Sequence, residues 1–351
     1  MANTATGALI AETLAGACRP SGYPDLKIGP ADLQAITPHL RRSGSSGLAW
    51  WRIRDTELRA TPSAAALRHD YRFQALRCTA YEKRIEYVFR LFEQASIEAI
   101  LLKGRASASF YSDVTLRPYG DIDVLVRPED FERAEAVLHD ADTSEIDCDL
   151  HDRVTDLPDR TFGELHERSR LLQINDSTIR ALGIEDHLAH VCVHFIRHDA
   201  WRPVWLCDVA ATLEALPDGF DWAVCAGRNA IEARWIASVI ELACVLLRAR
   251  ARSLPQSGVS ARPPQWLVKW TLSHWTNASA NREPPLTPLS RFVARPGGVW
   301  RDIRGRWPTP IAAAIHFGKA PRVFPLRYQL AMFLSRGARF CGRFAVGRAR
   351  R

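Results

Sequence analysis

Apolar residues over the first sixty positions come in short patches, Leu9-Ile10 and Leu48-Ala49-Trp50-Trp51, separated by turn-forming runs at 19–22 and 43–47. That pattern predicts a small helical N-terminal region over residues 1–62. Residues 63–94 contain no Gly or Pro, and their apolar positions, among them Leu67, Tyr71, Tyr81, Ile85, Val88 and Phe92, recur at helical intervals. One or two helices follow from that spacing. The period then changes. Residues 97–102 are a short apolar run ending at Lys103-Gly104, as expected of a buried strand. Residues 105–111 are rich in small side chains and compatible with a helix, and the turn Arg117-Pro118-Tyr119-Gly120 leads into a second apolar run at 121–126. Pro128-Glu129-Asp130 has the composition of a helix start. A third strand is expected at 145–151, where Ile146, Cys148 and Leu150 alternate with Glu145, Asp147, Asp149 and His151.

After Pro158 the expectation is helical again, over 182–195, 204–216 and 230–247, followed by an irregular connection at 255–288 around one short helix. The fold class that follows is α+β, a small mixed β-sheet core with flanking helices and a larger helical region. The expected division is an N-terminal helical region at 1–62, the core with its preceding helix at 63–155, a helical domain at 156–250, and an irregular connection with a basic segment at 251–351.

Charge and cysteines narrow the setting. From residue 303 onward there are eleven Lys or Arg and no Asp or Glu, which leaves 36 basic against 39 acidic residues in the rest. The formal net charge of +8 therefore describes a cationic tail on a near-neutral body. The eight cysteines are scattered without a C-x-x-C, which argues against a cysteine zinc site and for reduced, largely buried thiols in a cytoplasmic protein. No run of eighteen apolar residues occurs, and the N-terminus lacks a positive region before its apolar part.

Two carboxylates, Asp121 and Asp123, stand two apart in the second apolar run. Alternation puts both on one strand face, and it gives Asp149, or Asp147, the matching position on the next strand. Carboxylates converging at a sheet edge repel unless a cation joins them, and hard divalent ions, chiefly Mg2+, take oxygen ligands and complete their shells with substrate phosphates. Upstream, Lys103-Gly104-Arg105 sits where a strand gives way to a helix, and a glycine there lets backbone N–H groups approach an anion. Lys103, Arg105 and Arg117 are candidate phosphate partners, and Ser107 and Ser109 add hydroxyls. This is not a Walker A loop, which needs G-x-x-x-x-G-K-[ST].

The run Ile100-Leu101-Leu102-Lys103-Gly104, a following tyrosine and Arg-Pro, then Gly120-Asp121-Ile122-Asp123-Val124-Leu125-Val126, resembles the nucleotidyltransferases of the polymerase-β-like superfamily. It is closer to the uncharacterised bacterial nucleotidyltransferase family often encoded beside polysaccharide or peptide natural-product genes. The resemblance continues through Asp149-Leu150-His151 and the stretch 185–210 to Asp221-Trp222, covering roughly residues 64–248. It implies metal-dependent transfer of a nucleoside monophosphate from an NTP, with Asp121, Asp123 and Asp149 as the metal ligands, Mg2+ being the ion expected from their chemistry. Lys103, Gly104, Arg105, Ser107 and Arg117 are the nucleotide-binding candidates that the residues themselves offer, Arg105 standing where a long side chain either crowds or binds a triphosphate. Many active members carry Gly-Ser or Gly-Gly at the turn, whereas here Arg105 follows Gly104. The acceptor, whether small molecule, peptide or protein, is not given by the resemblance.

His190, His194 and His198 share a helix face at zinc-compatible spacing. With no H-E-x-x-H and apolar residues between them, a structural role is favoured, with Asp208 as a hydrogen-bonding partner. The stretch 324–336 mixes apolar residues with arginines, and the segment 303–351 is a candidate for an anionic membrane surface. Nucleic acid is disfavoured as a partner, since no zinc finger or RNP-like motif accompanies the charge. The rival to an enzyme is a catalytically silent nucleotidyltransferase-like scaffold docked through that basic segment.

Overall fold

The computed structural model describes residues 2–141, 146–250, 262–277, 307–323 and 325–336. The chain divides into two compact units, Met1–Thr276 and Asn277–Arg351. Parts of the expected irregular connection (255–261 and 278–288), of the basic segment (303–306 and 337–351), and Glu145 at the start of the expected third strand lie outside the described residues.

Three helices open the first unit: α1 (Ala2–Leu14), α2 (Pro30–Arg42) and α3 (Ser46–Ile53). They lead to α4 (Pro62–Gln94), a single 33-residue helix. Thr61 caps its start by accepting a hydrogen bond from Ala64 N at 3.2 Å, and Pro62 occupies the first turn, where its missing N–H costs nothing. The helix stops without a glycine because Ser96 takes the left-handed conformation (φ 55°). Ile97 N then bonds Phe92 O and Ser96 N bonds Glu93 O, so the last carbonyls are satisfied.

The chain continues through β1 (Ala99–Leu101), the one-turn α5 (Arg105–Ala108), β2 (Ile122–Val126), α6 (Phe131–Asp140), β3 (Cys148–His151) and α7 (Phe162–Glu167). Next come the hairpin β4 (Arg170–Ile174) and β5 (Ser177–Ala181), then α8 (Ile184–Arg197), α9 (Pro203–Glu214), α10 (Trp222–Ala226), α11 (Ala230–Leu247) and α12 (Gln265–His274). The five strands form one mixed sheet in the order β3-β2-β1-β5-β4. β2 runs antiparallel to β1 and parallel to β3, and β5 runs parallel to β1. One face of α4, with Tyr81, Ile85, Val88 and Phe92, packs on Leu101, Val124, Val126 and Ala181 of the sheet. This is the α+β architecture expected from the sequence.

The β4–β5 hairpin corrects the expectation of helices alone after Pro158. Its two-residue turn, Asn175-Asp176, is permitted by the positive φ of Asn175 (50°). Leu172, Ile174, Ile179 and Ala181 point inward while Leu171 is exposed, so the two-residue period was present but short. The seven cysteines among the described residues are free, as expected, and five of them are buried. No helix among the described residues is long and apolar enough to cross a membrane.

In the second unit, α13 (Pro310–His316) is capped by Thr309, whose hydroxyl accepts from Ala312 N at 3.1 Å. Residues 326–336 are helical, with Leu326, Leu330 and Leu334 exposed along one stripe.

Candidate active site

Because β1 and β2 are antiparallel, the end of β1 and the start of β2 meet at one edge of the sheet. Leu102 N bonds Asp123 O there at 3.0 Å, which brings Lys103-Gly104 alongside the Asp121–Asp123 pair. The parallel β2–β3 register sets Asp123 directly opposite Asp149, with His151 two residues further along the same strand. Asp123 is 1 % exposed, while Asp149 is open to solvent and His151 half-buried. Lys103 Nζ lies 2.9 Å from Asp123 Oδ1, and His151 Nε2 lies 3.3 Å from the same oxygen. Burial works to raise the Asp123 carboxyl, but the His151 hydrogen bond and the Lys103 charge outweigh it and hold the group below its ordinary range.

One atom is left over. Asp123 Oδ2 is buried and has no hydrogen-bond partner. An ionised oxygen in that position is costly unless a cation approaches it. Asp123, Asp149 and His151 each offer a ligand atom within 4.8 Å of the others, and among the described residues they are the group of three or more that can hold an ion. Two carboxylates and an imidazole suit a divalent cation. Asp121, expected as a ligand, is half-buried just before β2 and falls outside this group. It lines a hollow of about 290 Å3 with Asp147 and several arginines instead.

Gly104 has φ 63° and ψ −109°, a conformation that a side chain makes strained, and Tyr119 and the Asp121 carbonyl lie against it. The turn is therefore built for glycine. The arginines expected to serve phosphates are committed elsewhere. Arg105 is buried and its Nε is 2.5 Å from Glu82 Oε1 on α4. Arg117 is buried and forks onto Asp208 of α9, with Nη2 2.9 Å from Oδ2, while its Nη1 donates to Pro118 O at 2.8 Å. Both guanidiniums are engaged in ion pairs that tie α5 and the turn before β2 to the helices, and Arg117 also lines the hollow with Asp121. Ser109 Oγ donates to Ala106 O at 2.6 Å and faces Arg170 Nη2 at 2.9 Å. Ser107 Oγ is buried without a partner.

The family described as uncharacterised nucleotidyltransferase matches residues 29–249. The chain belongs to that family. No curated protein and no solved structure matches it. The match takes in the sheet, the Asp123–Asp149–His151 group and the helices from α2 through α11, so this nucleotidyltransferase carries its candidate ligands inside the region that defines the family.

The histidine face of α8 lies close by in the nucleotidyltransferase, but among the described residues its imidazoles do not form a group that can hold an ion. His190 and His194 rings are 5.9 Å apart, those of His194 and His198 are 4.4 Å apart, and both His194 and His198 pack on Trp205. Their carboxylate partner is Asp156 rather than Asp208. Asp156 Oδ2 lies 3.5 Å from His190 Nδ1 and 3.4 Å from His194 Nδ1, and Oδ1 lies 3.4 Å from Arg197 Nε. Burial opposes the Asp156 charge, yet the His194 hydrogen bond and the His190 and Arg197 charges bring its carboxyl down to about 2. Burial pulls His190 down to about 4, so its imidazole is neutral near pH 7. Asp208 belongs to a different network, accepting from Tyr111 Oη at 2.7 Å as well as from Arg117.

His151 is the functional candidate that sequence reasoning passed over. Its signal was present, since it shares the polar face of β3 with Asp149. Asp156 sits in an irregular segment with no periodicity to mark it.

Proposed function

We propose that this nucleotidyltransferase transfers a nucleoside monophosphate from an NTP to an acceptor hydroxyl or phosphate. The observation that carries the reading is the buried Asp123 oxygen without a hydrogen-bond partner, set in register beside Asp149 and within ligand range of His151. Asp123, Asp149 and His151 hold Mg2+, and Asp121 supplies a further carboxylate from two residues upstream. The imidazole widens the ions the set accepts to Mn2+. When bound, the ion supplies charge neutralisation for the triphosphate and for the departing pyrophosphate.

The residues of the chain divide the remaining work. Lys103 neutralises Asp123 in the free protein and turns to the β- and γ-phosphates when nucleotide enters. Gly104 lets the backbone come close to the same phosphates because it carries no Cβ. The solvent-open Asp149 carboxylate takes the proton of the acceptor hydroxyl as that oxygen attacks the α-phosphorus. The bond from the α-phosphorus to the bridging oxygen breaks, and pyrophosphate leaves with its electron pair. Arg105 and Arg117 act at one remove by fixing α5 and the turn before β2.

Parallel incubations with α-labelled and γ-labelled NTP, Mg2+ and a small-molecule extract test the reaction class. The expected result is α-label in a new product and γ-label in pyrophosphate. Gamma-label in the product would instead mean phosphoryl transfer, and label in neither would favour a silent scaffold.

A further inference from the structure

A second set of cations lies beside Asp121 and takes no part in the carboxylate group. Arg77 on α4 and Arg202 at the start of α9 form the shared wall, with Pro118 and Tyr119, between two adjoining hollows of about 290 and 440 Å3. The smaller contains Asp121, and the larger reaches Arg42 at the end of α2. Among the described residues, neither Arg77, Arg202 nor Arg42 has an ion-pair partner, whereas the neighbouring Arg41 is neutralised by Asp70 at 2.8 and 3.1 Å. Arg202 is half-buried and donates from Nε to Ser43 O at 2.8 Å; Asp208 and Asp121 act on its charge from a distance, but no carboxylate of the described residues pairs with it directly. Burial, then the nearby Arg117, pulls its guanidinium down to about 10.

A partly desolvated guanidinium without a directly paired carboxylate is unfavourable unless an anion visits it. Phosphate matches the planar fork of arginine with two parallel hydrogen bonds, and two such forks on one wall suit a doubly charged group. The hollows together are of small-molecule size. Phe73, 61 % exposed on the rim of the larger one, offers an apolar surface to the organic part of a ligand. The acids facing the cleft are Asp121 and Asp147 at one end and the already paired Asp70 at the other, which leaves the Arg77–Arg202 wall as the positive region.

We propose that the cleft walled by Arg77 and Arg202 is a phosphate-recognition site that holds the anionic part of a small-molecule substrate next to Asp121. This rests on the nucleotidyl-transfer reading for its position in the reaction, since a ligand held here ends beside the Asp121–Asp123 pair. Two sources of phosphate fit the chemistry, the triphosphate of the nucleotide and a phosphorylated acceptor.

Calorimetric titration of inorganic pyrophosphate into the full chain, with divalent ions chelated by EDTA, isolates this site from the carboxylate group. Pyrophosphate is expected to bind, Arg77→Ala to weaken it about tenfold or more, and Asp123→Asn to leave it intact. Arg77 is exposed, so its removal does not threaten the fold. No binding in EDTA, or equal binding by Arg77→Ala, overturns the proposal. Competition then names the source: an NTP displacing pyrophosphate at lower concentration than a sugar phosphomonoester assigns the cleft to the nucleotide, and the reverse order assigns it to the acceptor. Displacement by neither overturns the role in substrate binding. Retained pyrophosphate binding in a protein that transfers no nucleotide would sink the reaction reading alone.

Discussion

Asp123→Asn is expected to lower the rate of nucleotidyl transfer about a thousandfold or more, a loss on the order of 4 kcal/mol of transition-state stabilisation. The substitution keeps the shape of the side chain and removes its charge. Asp123 is the buried member of the Asp123–Asp149–His151 group, and its Oδ2 is the atom left without a hydrogen bond. An amide there offers one neutral oxygen and an N–H2 that repels a cation. Lys103 loses its partner at 2.9 Å, but it is partly exposed and can turn to water. The fold is therefore expected to survive, as checked by circular dichroism and a cooperative thermal transition. A rate within a few-fold of wild type in a folded variant would remove Asp123 from the chemistry.

Asp208→Ala is expected to cost about 3–5 kcal/mol of stability, lowering the melting temperature by roughly 10 °C. The mechanism is an abandoned charge. Arg117 and Asp208 have side-chain exposures of 7 % and 2 %, and removing the carboxylate leaves the guanidinium buried without a counter-ion. Tyr111 loses its acceptor as well. A double variant, Arg117→Met with Asp208→Leu, is expected to lose less than the sum of the single changes, because no unpaired charge remains. The pair also anchors the turn Arg117-Pro118-Tyr119-Gly120, which Tyr81 holds from α4 through a hydrogen bond to Gly120 O. Denaturant melts of the three variants read the effect, and single-variant losses below about 1 kcal/mol would contradict it.

The strands that carry the site were legible because buried and alternating positions differ in period. The run before Lys103, the run around Asp123 and the polar face through Asp149 each announced a strand, and the register then joined Asp123 to Asp149. The N-terminal helices were legible only as a region, since their apolar patches are short and their packing partners lie far along the chain, as α1 against α11 and α12 shows. The β4–β5 hairpin was hidden because its inward positions are few and its turn, Asn175-Asp176, is not the glycine-containing pair that marks such turns most clearly. The ion pairs of Arg105 and Arg117 were hidden for a related reason. A cation near a phosphate motif looks like a ligand until its carboxylate is known, and Glu82 and Asp208 are 23 and 91 residues away. The Arg77–Arg202 wall was invisible for the converse reason, since the two residues belong to no local motif and meet only in the fold.

The metal assignment is the point on which the account turns, and it can be read without knowing the acceptor. Titration of the full chain with Mn2+, followed by the electron paramagnetic resonance signal of the free ion, measures uptake directly. The account predicts that wild-type protein withdraws Mn2+ from solution, that Mg2+ competes for it, and that Asp123→Asn takes up none at the same concentrations. Equal uptake by the folded Asp123→Asn protein, or no uptake by the wild type, would contradict it.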